Sequence, residues 1–225
     1  MRERAFATMT DSRVIHVADG DLRLYPHLFS AEESARLLDD LKQEIDWKSE
    51  RITMFGRSLA LPRLTAWFGD LGMRYTYSGI AVESAGWTPT LLRIRARVEE
   101  VSMSRFNSVL LNYYRDGRDS VSWHSDDEPE LGRDPVIGSV SLGSERPFQL
   151  RHRTADDVAS ASTGEPASGR LTLDLPNGSY LEMGPGMQRN WAHRLPKRPR
   201  LTGERINLTF RTILGRRAES PNAGY

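Results

Sequence analysis

The stretch WHSDDE, residues 123–128, places an imidazole and three carboxylates side by side, a few residues before the apolar run VIGSVSLG. Within it His124 and Asp126 form His-x-Asp, a spacing that sets both side chains on one side of an extended segment or a tight turn. That tripeptide is common by chance. His193, far downstream in the run NWAHRL, offers a second imidazole. The chain has no cysteine, so disulfides and thiolate–metal sites are excluded, and a metal must use His and carboxylate ligands. Two imidazoles and one carboxylate match the set that holds Fe(II) and leaves further positions open. Taken alone, His193 reads as a half-buried strand histidine.

A second chemical feature is RINLTFR. Arg205, Asn207, Thr209 and Arg211 alternate with Ile206, Leu208 and Phe210, so the polar set faces one side of a strand and the apolar set the other. Two arginines on the inner face of a barrel are costly unless paired. A dicarboxylate suits two guanidinium forks. The alternative turns this face to water, as an ordinary amphipathic edge strand. Upstream, LLNYY carries Asn112 and Tyr114 on one face, an amide and a phenol for the same ligand.

Such residues need elements to carry them. The segment SAEESARLLDDLKQEI predicts a helix, with Ser30 as cap, Glu33 completing a capping box, and Leu37, Leu38, Leu41 and Ile45 as its apolar stripe. TPTLLRIRARVEEV predicts another, with Thr88 as cap and Pro89 in the first turn. Its buried face is Leu91, Ile94, Val98 and Val101; Arg93, Arg95 and Arg97 are left largely solvated. From residue 105 the texture changes to short β-branched or aromatic runs separated by Gly, Pro, Asn and Asp, the pattern of an antiparallel sandwich or barrel. The expected fold is mainly β with flanking helices (α+β). A jelly-roll core (105–213) follows an N-terminal helical and hairpin extension (13–104) in one domain. Residues 1–12 and 214–225 read as frayed ends, and 154–169 as a mobile surface loop.

Net charge is +1 over 225 residues, so no global positive field draws nucleic acid. Lysine occurs only at Lys42, Lys48 and Lys197, the other basic residues being arginine; RLPKRPR (194–200), RIRAR (93–97) and RHR (151–153) are local clusters. No stretch approaches the roughly 20 apolar residues that span a bilayer, and MRERAFATMTDSR lacks the apolar core of a secretion signal. The expectation is a monomer with no membrane partner in a reducing compartment: cytoplasmic, nucleoid-associated in a bacterium, nuclear in a eukaryote.

The ordered series NYYRDG, WHSDDE, IGSVSLG, FQLRHR, HRLP and RINLTFR resembles the AlkB family of Fe(II)- and 2-oxoglutarate-dependent dioxygenases, most of all the branch that repairs alkylated double-stranded DNA. The resemblance covers about residues 50–213 and implies a double-stranded β-helix. It implies His124, Asp126 and His193 as iron ligands and as the catalytic centre. It places Asn112, Tyr114, Arg205, Thr209 and Arg211 around 2-oxoglutarate, with Asn207 on the same face. Dioxygen is the third participant it implies.

On the substrate side, Asp127 is similar to a family residue that touches the target base, and Glu128 adds negative charge beside it. YTYSG, with Tyr75, Thr76, Tyr77 and Ser78, resembles the segment lining the base pocket. MFGR, with Met54, Phe55, Gly56 and Arg57, resembles a hairpin that wedges into the duplex; Phe55 reads alternatively as a core residue of an ordinary hairpin. Trp123 is expected to pack and hold the ligand strand. The activity so implied is oxidative demethylation of N1-methyladenine and N3-methylcytosine in DNA, releasing formaldehyde from a flipped base. A carboxylate favours these cationic lesions over their neutral parents. The alternatives are the same chemistry on RNA, tRNA or a protein side chain, and a jelly-roll binding module without catalysis.

Overall fold

Ser30 accepts a hydrogen bond from the Glu33 N–H while the Glu33 carboxylate accepts from the Ser30 N–H, which closes a capping box. The computed structural model describes residues 11–54, 57–72, 74–77, 80–102, 104–154 and 169–214. In chain order these form β1 (Arg13–Val17), β2 (Gly20–Tyr25), α1 (Ala31–Glu44), β3 (Arg51–Met54), β4 (Arg57–Ala60), β5 (Leu64–Gly69), β6 (Arg74–Tyr77), β7 (Ile80–Glu83) and α2 (Pro89–Glu99). There follow β8 (Ser108–Tyr114), β9 (Val121–His124), β10 (Ile137–Gly143), β11 (Arg146–His152), β12 (Arg170–Leu175), β13 (Ser179–Met183), α3 (Met187–Asn190), β14 (Trp191–Leu195) and β15 (Arg205–Arg211). The hairpin tip at Phe55 and Gly56, Ser78, most of the 154–169 loop and nearly all of both expected frayed ends lie outside the described residues.

Seven strands form one antiparallel sheet in the order β1-β2-β13-β10-β15-β8-β5, and four form a second in the order β12-β11-β14-β9. This is the two-sheet jelly roll expected of the core. The large sheet also takes β1, β2 and β5 from the segment read as an extension. Their runs RVIHV, GDLRLY and LTAWFG are short; β2 pairs with β13 and β5 with β8, while β1 joins the edge as the hairpin partner of β2. The hairpins β3–β4 and β6–β7 stand apart as two-stranded sheets, bridged to β5 through Lys48–Thr65 and Ala85–Phe68.

Helices α1 and α2 cover the outer face of the large sheet. Leu37, Leu41, Leu91, Ile94 and Val98 meet Val109, Leu111, Ile206, Leu208 and Phe210 in one apolar cluster, and burial on this scale contributes roughly 25 cal/mol per Å². Arg95 is not solvated as expected: its guanidinium lies over Trp87, 4.8 Å from the ring centroid, and pairs with Asp70 and Glu99. The interior between the sheets holds a second apolar cluster, including Leu22, Leu150, Leu181, Met187 and Trp191. Among the described residues no helix is long and apolar enough to cross a membrane.

Candidate metal and cosubstrate site

The alternation along β15 decides which face is inside. Ile206, Leu208 and Phe210 are fully buried against the helices, so Arg205, Asn207, Thr209 and Arg211 face the space between the sheets, and the water-facing alternative is excluded. Register then places Tyr114 opposite Arg205 and Asn112 opposite Asn207 across β8 and β15. On the smaller sheet His193 of β14 pairs directly with His124, the last residue of β9. All of these, with Asp126 and Glu128, line one cavity.

The donor atoms of His124, Asp126 and His193 lie within 4.8 Å of one another. The imidazole planes meet edge to face with centroids 4.3 Å apart, and His193 Nε2 is 3.8 Å from Asp126 Oδ2. Nδ1 of His124 lies 2.8 Å from the Ser122 carbonyl; that contact assigns the proton to Nδ1 and frees Nε2 as a ligand. Burial drives His193 down to about 3, reinforced by His124 and only partly opposed by Asp126, so its ring is neutral with a lone pair to offer. Burial alone would push the Asp126 carboxyl up, but the charge of Arg211 and the hydrogen bond it donates outweigh it and hold it low. Two imidazoles and an ionised carboxylate converging on one point fit a divalent ion such as Fe(II).

Arg205 is 2% exposed. Its Nη2 donates to Ser141 Oγ at 2.8 Å and its Nη1 to the Leu175 carbonyl at 3.3 Å, both neutral acceptors, and its Nε is buried without a partner. Burial brings it down to about 10, with Arg146 adding repulsion and Tyr114 opposing; at neutral pH it remains a cation. A buried cation facing no carboxylate among the described residues suits an anion. Arg211 lines the same cavity and bonds to Asp126 Oδ1, which places it beside the three converging side chains. Asn207 bonds to Ser139 and the Val140 carbonyl and accepts from Thr209.

A sequence profile of the 2OG-Fe(II) oxygenase superfamily matches residues 21–211. The chain is 40% identical over 191 residues to Alpha-ketoglutarate-dependent dioxygenase alkB homolog 3 of Mus musculus, covering 84% of this chain and 65% of that protein. It is 39% identical over 193 residues to DNA oxidative demethylase ALKBH2 of Mus musculus, covering 84% and 79%. The chain belongs to the AlkB family. Its matched region is a 2OG-Fe(II) dioxygenase domain, a family that uses Fe(II) and 2-oxoglutarate. The solved structure of OsALKBH1 shares the fold, with TM-score 0.55 at 15% identity, covering 89% of this chain and 100% of that one. The chain spans 65%, 63% and 65% of the alkB homolog 3 proteins of Mus musculus, Rattus norvegicus and Homo sapiens.

Within this AlkB-family site the acids of WHSDDE part company. Glu128 lines the cavity with a buried Oε2 that has no hydrogen-bond partner among the described residues. Asp127 is exposed and paired with Arg153 at 2.7 Å, outside the cavity lining. Trp123 packs on the outer face of the small sheet, its ring between the guanidiniums of Arg151 and Arg194, 4.9 and 4.5 Å from the centroid. Met54 and Arg57 form the last pair of β3 and β4 before residues 55 and 56, and Tyr75, Thr76 and Tyr77 belong to β6.

Sequence reading missed Arg63, which is buried, lines the cavity and donates from Nε to Asn112 Oδ1 at 2.7 Å. It stands in the loop before β5, where no periodicity marks an inward side chain. Ser139 and Ser141 were missed as well, since serine in a strand carries no signal until its hydroxyl is seen to accept, as from Asn207 and Arg205 here.

Proposed function

We propose that this protein is an oxidative demethylase of N1-methyladenine and N3-methylcytosine in DNA that releases formaldehyde. The observation that carries the reading is a single cavity in which His124, Asp126 and His193 converge beside the anion-seeking Arg205. A metal seat next to a dicarboxylate seat is what an Fe(II)/2-oxoglutarate enzyme requires. When bound, these two with dioxygen supply the oxidising power for a C–H bond.

The chain's own residues do the rest. Arg205, with Tyr114 and Asn112 near it, seats and orients 2-oxoglutarate; Arg211 fixes the Asp126 carboxylate. The unpartnered Glu128 oxygen faces the cavity and favours a cationic ring over a neutral one, more strongly where water is excluded. A methyl group on the Watson–Crick edge is inaccessible within a duplex, so the nucleotide must be extruded. The names of the ALKBH2 relatives, DNA oxidative demethylase, support DNA as the polymer.

The test is formaldehyde release from methylated single- and double-stranded oligonucleotides, given iron and 2-oxoglutarate. Turnover dependent on both additions, and abolished in His124→Ala, Asp126→Ala and His193→Ala, is expected. Cosubstrate-dependent turnover on methylated RNA or peptide with none on DNA would sink the DNA assignment.

A further inference from the structure

Asp126 has a backbone problem that its side-chain chemistry hides. Strand β9 is short and lies at the edge of the small sheet. Its ladder to β14 is irregular and ends at His124 opposite His193. Asp126 lies beyond that end, is 3% exposed, and has no strand partner for its N–H. A buried amide left without an acceptor is costly, and the residue carrying it tends to shift until it finds one.

The acceptor is Gln188. Its Oε1 takes the Asp126 N–H at 3.0 Å. Gln188 is 2% exposed and sits on α3, in the chain leading to His193. Its Nε2 has only the Met183 sulfur, at 3.5 Å, a weak acceptor. An apolar side chain of equal volume would fill this position without burying an amide, so packing does not account for a glutamine; the Asp126 N–H does. Upstream of α3, Gly186 turns the chain at φ +86°, where a Cβ would lie 2.3 Å from the Asp19 carbonyl, so the helix carrying Gln188 has a fixed origin. A parallel tie, Ser125 Oγ to the Trp191 carbonyl at 2.9 Å, joins the same two segments.

We propose that Gln188 is a positioning residue of the metal centre: its amide oxygen, bonded to the Asp126 N–H, holds the Asp126 carboxylate in its ligating place before a metal arrives. Arg211 grips that carboxylate at Oδ1, and Gln188 grips its backbone. The inference rests on the assignment of His124, Asp126 and His193 as metal ligands.

The experiment is titration of the full, metal-free protein with Co(II), followed by its visible absorption, alongside a melting curve of the metal-free form. Gln188→Met keeps the volume and removes the acceptor. It is expected to weaken Co(II) binding about tenfold, the usual size of effect for groups that orient a ligand, and to alter the Co(II) spectrum. Gln188→Glu keeps an acceptor and is expected to stay within about threefold of wild type. If Gln188→Met does not fold, Gln188→Asn, which withdraws the amide by one methylene, is expected to show the same weakening. Co(II) affinity within twofold of wild type in the folded variant, with only the melting temperature lowered, would make Gln188 a core residue and overturn the proposal. So would equal losses in Gln188→Glu and Gln188→Met. Absence of Co(II) binding by the wild type, or binding undiminished in His124→Ala, would instead overturn the ligand assignment beneath it.

Discussion

Arg205 and Arg211 share one face of one strand, yet their surroundings differ. Among the described residues Arg205 bonds to neutral acceptors, whereas Arg211 bonds to the Asp126 carboxylate. Arg205→Lys is therefore expected to weaken 2-oxoglutarate binding at least about tenfold, through loss of the planar fork, with Co(II) affinity unchanged. Arg211→Lys is expected to do the reverse, lowering metal affinity first. Parallel titrations with cosubstrate and metal separate the two; matching losses of 2-oxoglutarate affinity with intact metal binding would return Arg211 to the cosubstrate end. Glu128 supplies a second residue-scale prediction. Glu128→Gln preserves shape and removes charge, so kcat/KM for the cationic lesions should fall roughly tenfold, the effect of a little over 1 kcal/mol in a half-desolvated site. An unchanged kcat/KM would mean that this carboxylate does not read the lesion's charge.

At the scale of elements, the turn between β8 and β9 determines where the ligand strand begins. Asp119 accepts from the Arg115 N–H at 2.9 Å and from its guanidinium at 2.8 and 2.9 Å. Burial pushes this carboxyl up, but the bonds from Arg115 prevail and its pKa lies below the ordinary 3.8. A depressed folded value means that the stabilisation is complete above 3.8 and is lost as pH falls below it, through the folded pKa. Arg115 is half exposed, so solvent screening limits the contribution to about 1 kcal/mol. Urea melts of Asp119→Asn should show that deficit at pH 7, closing as pH falls below 3.8; a deficit independent of pH would assign the loss to the turn's shape and not to its charge. The helices around this core were legible because capping chemistry is local: Ser30 with Glu33, and Thr88 with Pro89, mark their starts in a few residues. Strands β2 and β5 were not, because each is stabilised by a partner distant in sequence, and β1 joins the sheet only through its hairpin with β2.

At the scale of the whole molecule, the two hairpins bridged beside β5 stand outside the two main sheets. Net charge is close to neutral, so if a duplex is the substrate, local contacts must hold it. Phe55, between Met54 and Gly56, is the candidate wedge. If it fills the gap left by an extruded base, it offsets an unstacking cost of a few kcal/mol that a single strand never incurs. Phe55→Ala is then expected to depress repair of methylated duplex several-fold more than repair of the same lesion in a single strand, with the melting temperature unchanged. Equal losses on both substrates with a lowered melting temperature would place Phe55 in the core.

What the sequence determined by itself was the inventory: a cysteine-free chain whose His-x-Asp and later histidine fit Fe(II), and an Arg-x-Asn-x-Thr-x-Arg strand whose alternation separates polar from apolar. Spacing of that kind survives any folding, since it follows from the geometry of a strand. Tertiary structure alone decided which face of β15 was inside, because only the helix layer over Ile206, Leu208 and Phe210 orients it. Tertiary structure also divided Arg211 from Arg205, Glu128 from Asp127, and joined Gln188 to Asp126 across 62 residues. Those distinctions depend on which group lies within about 3 Å of which other, and sequence separation does not encode that distance.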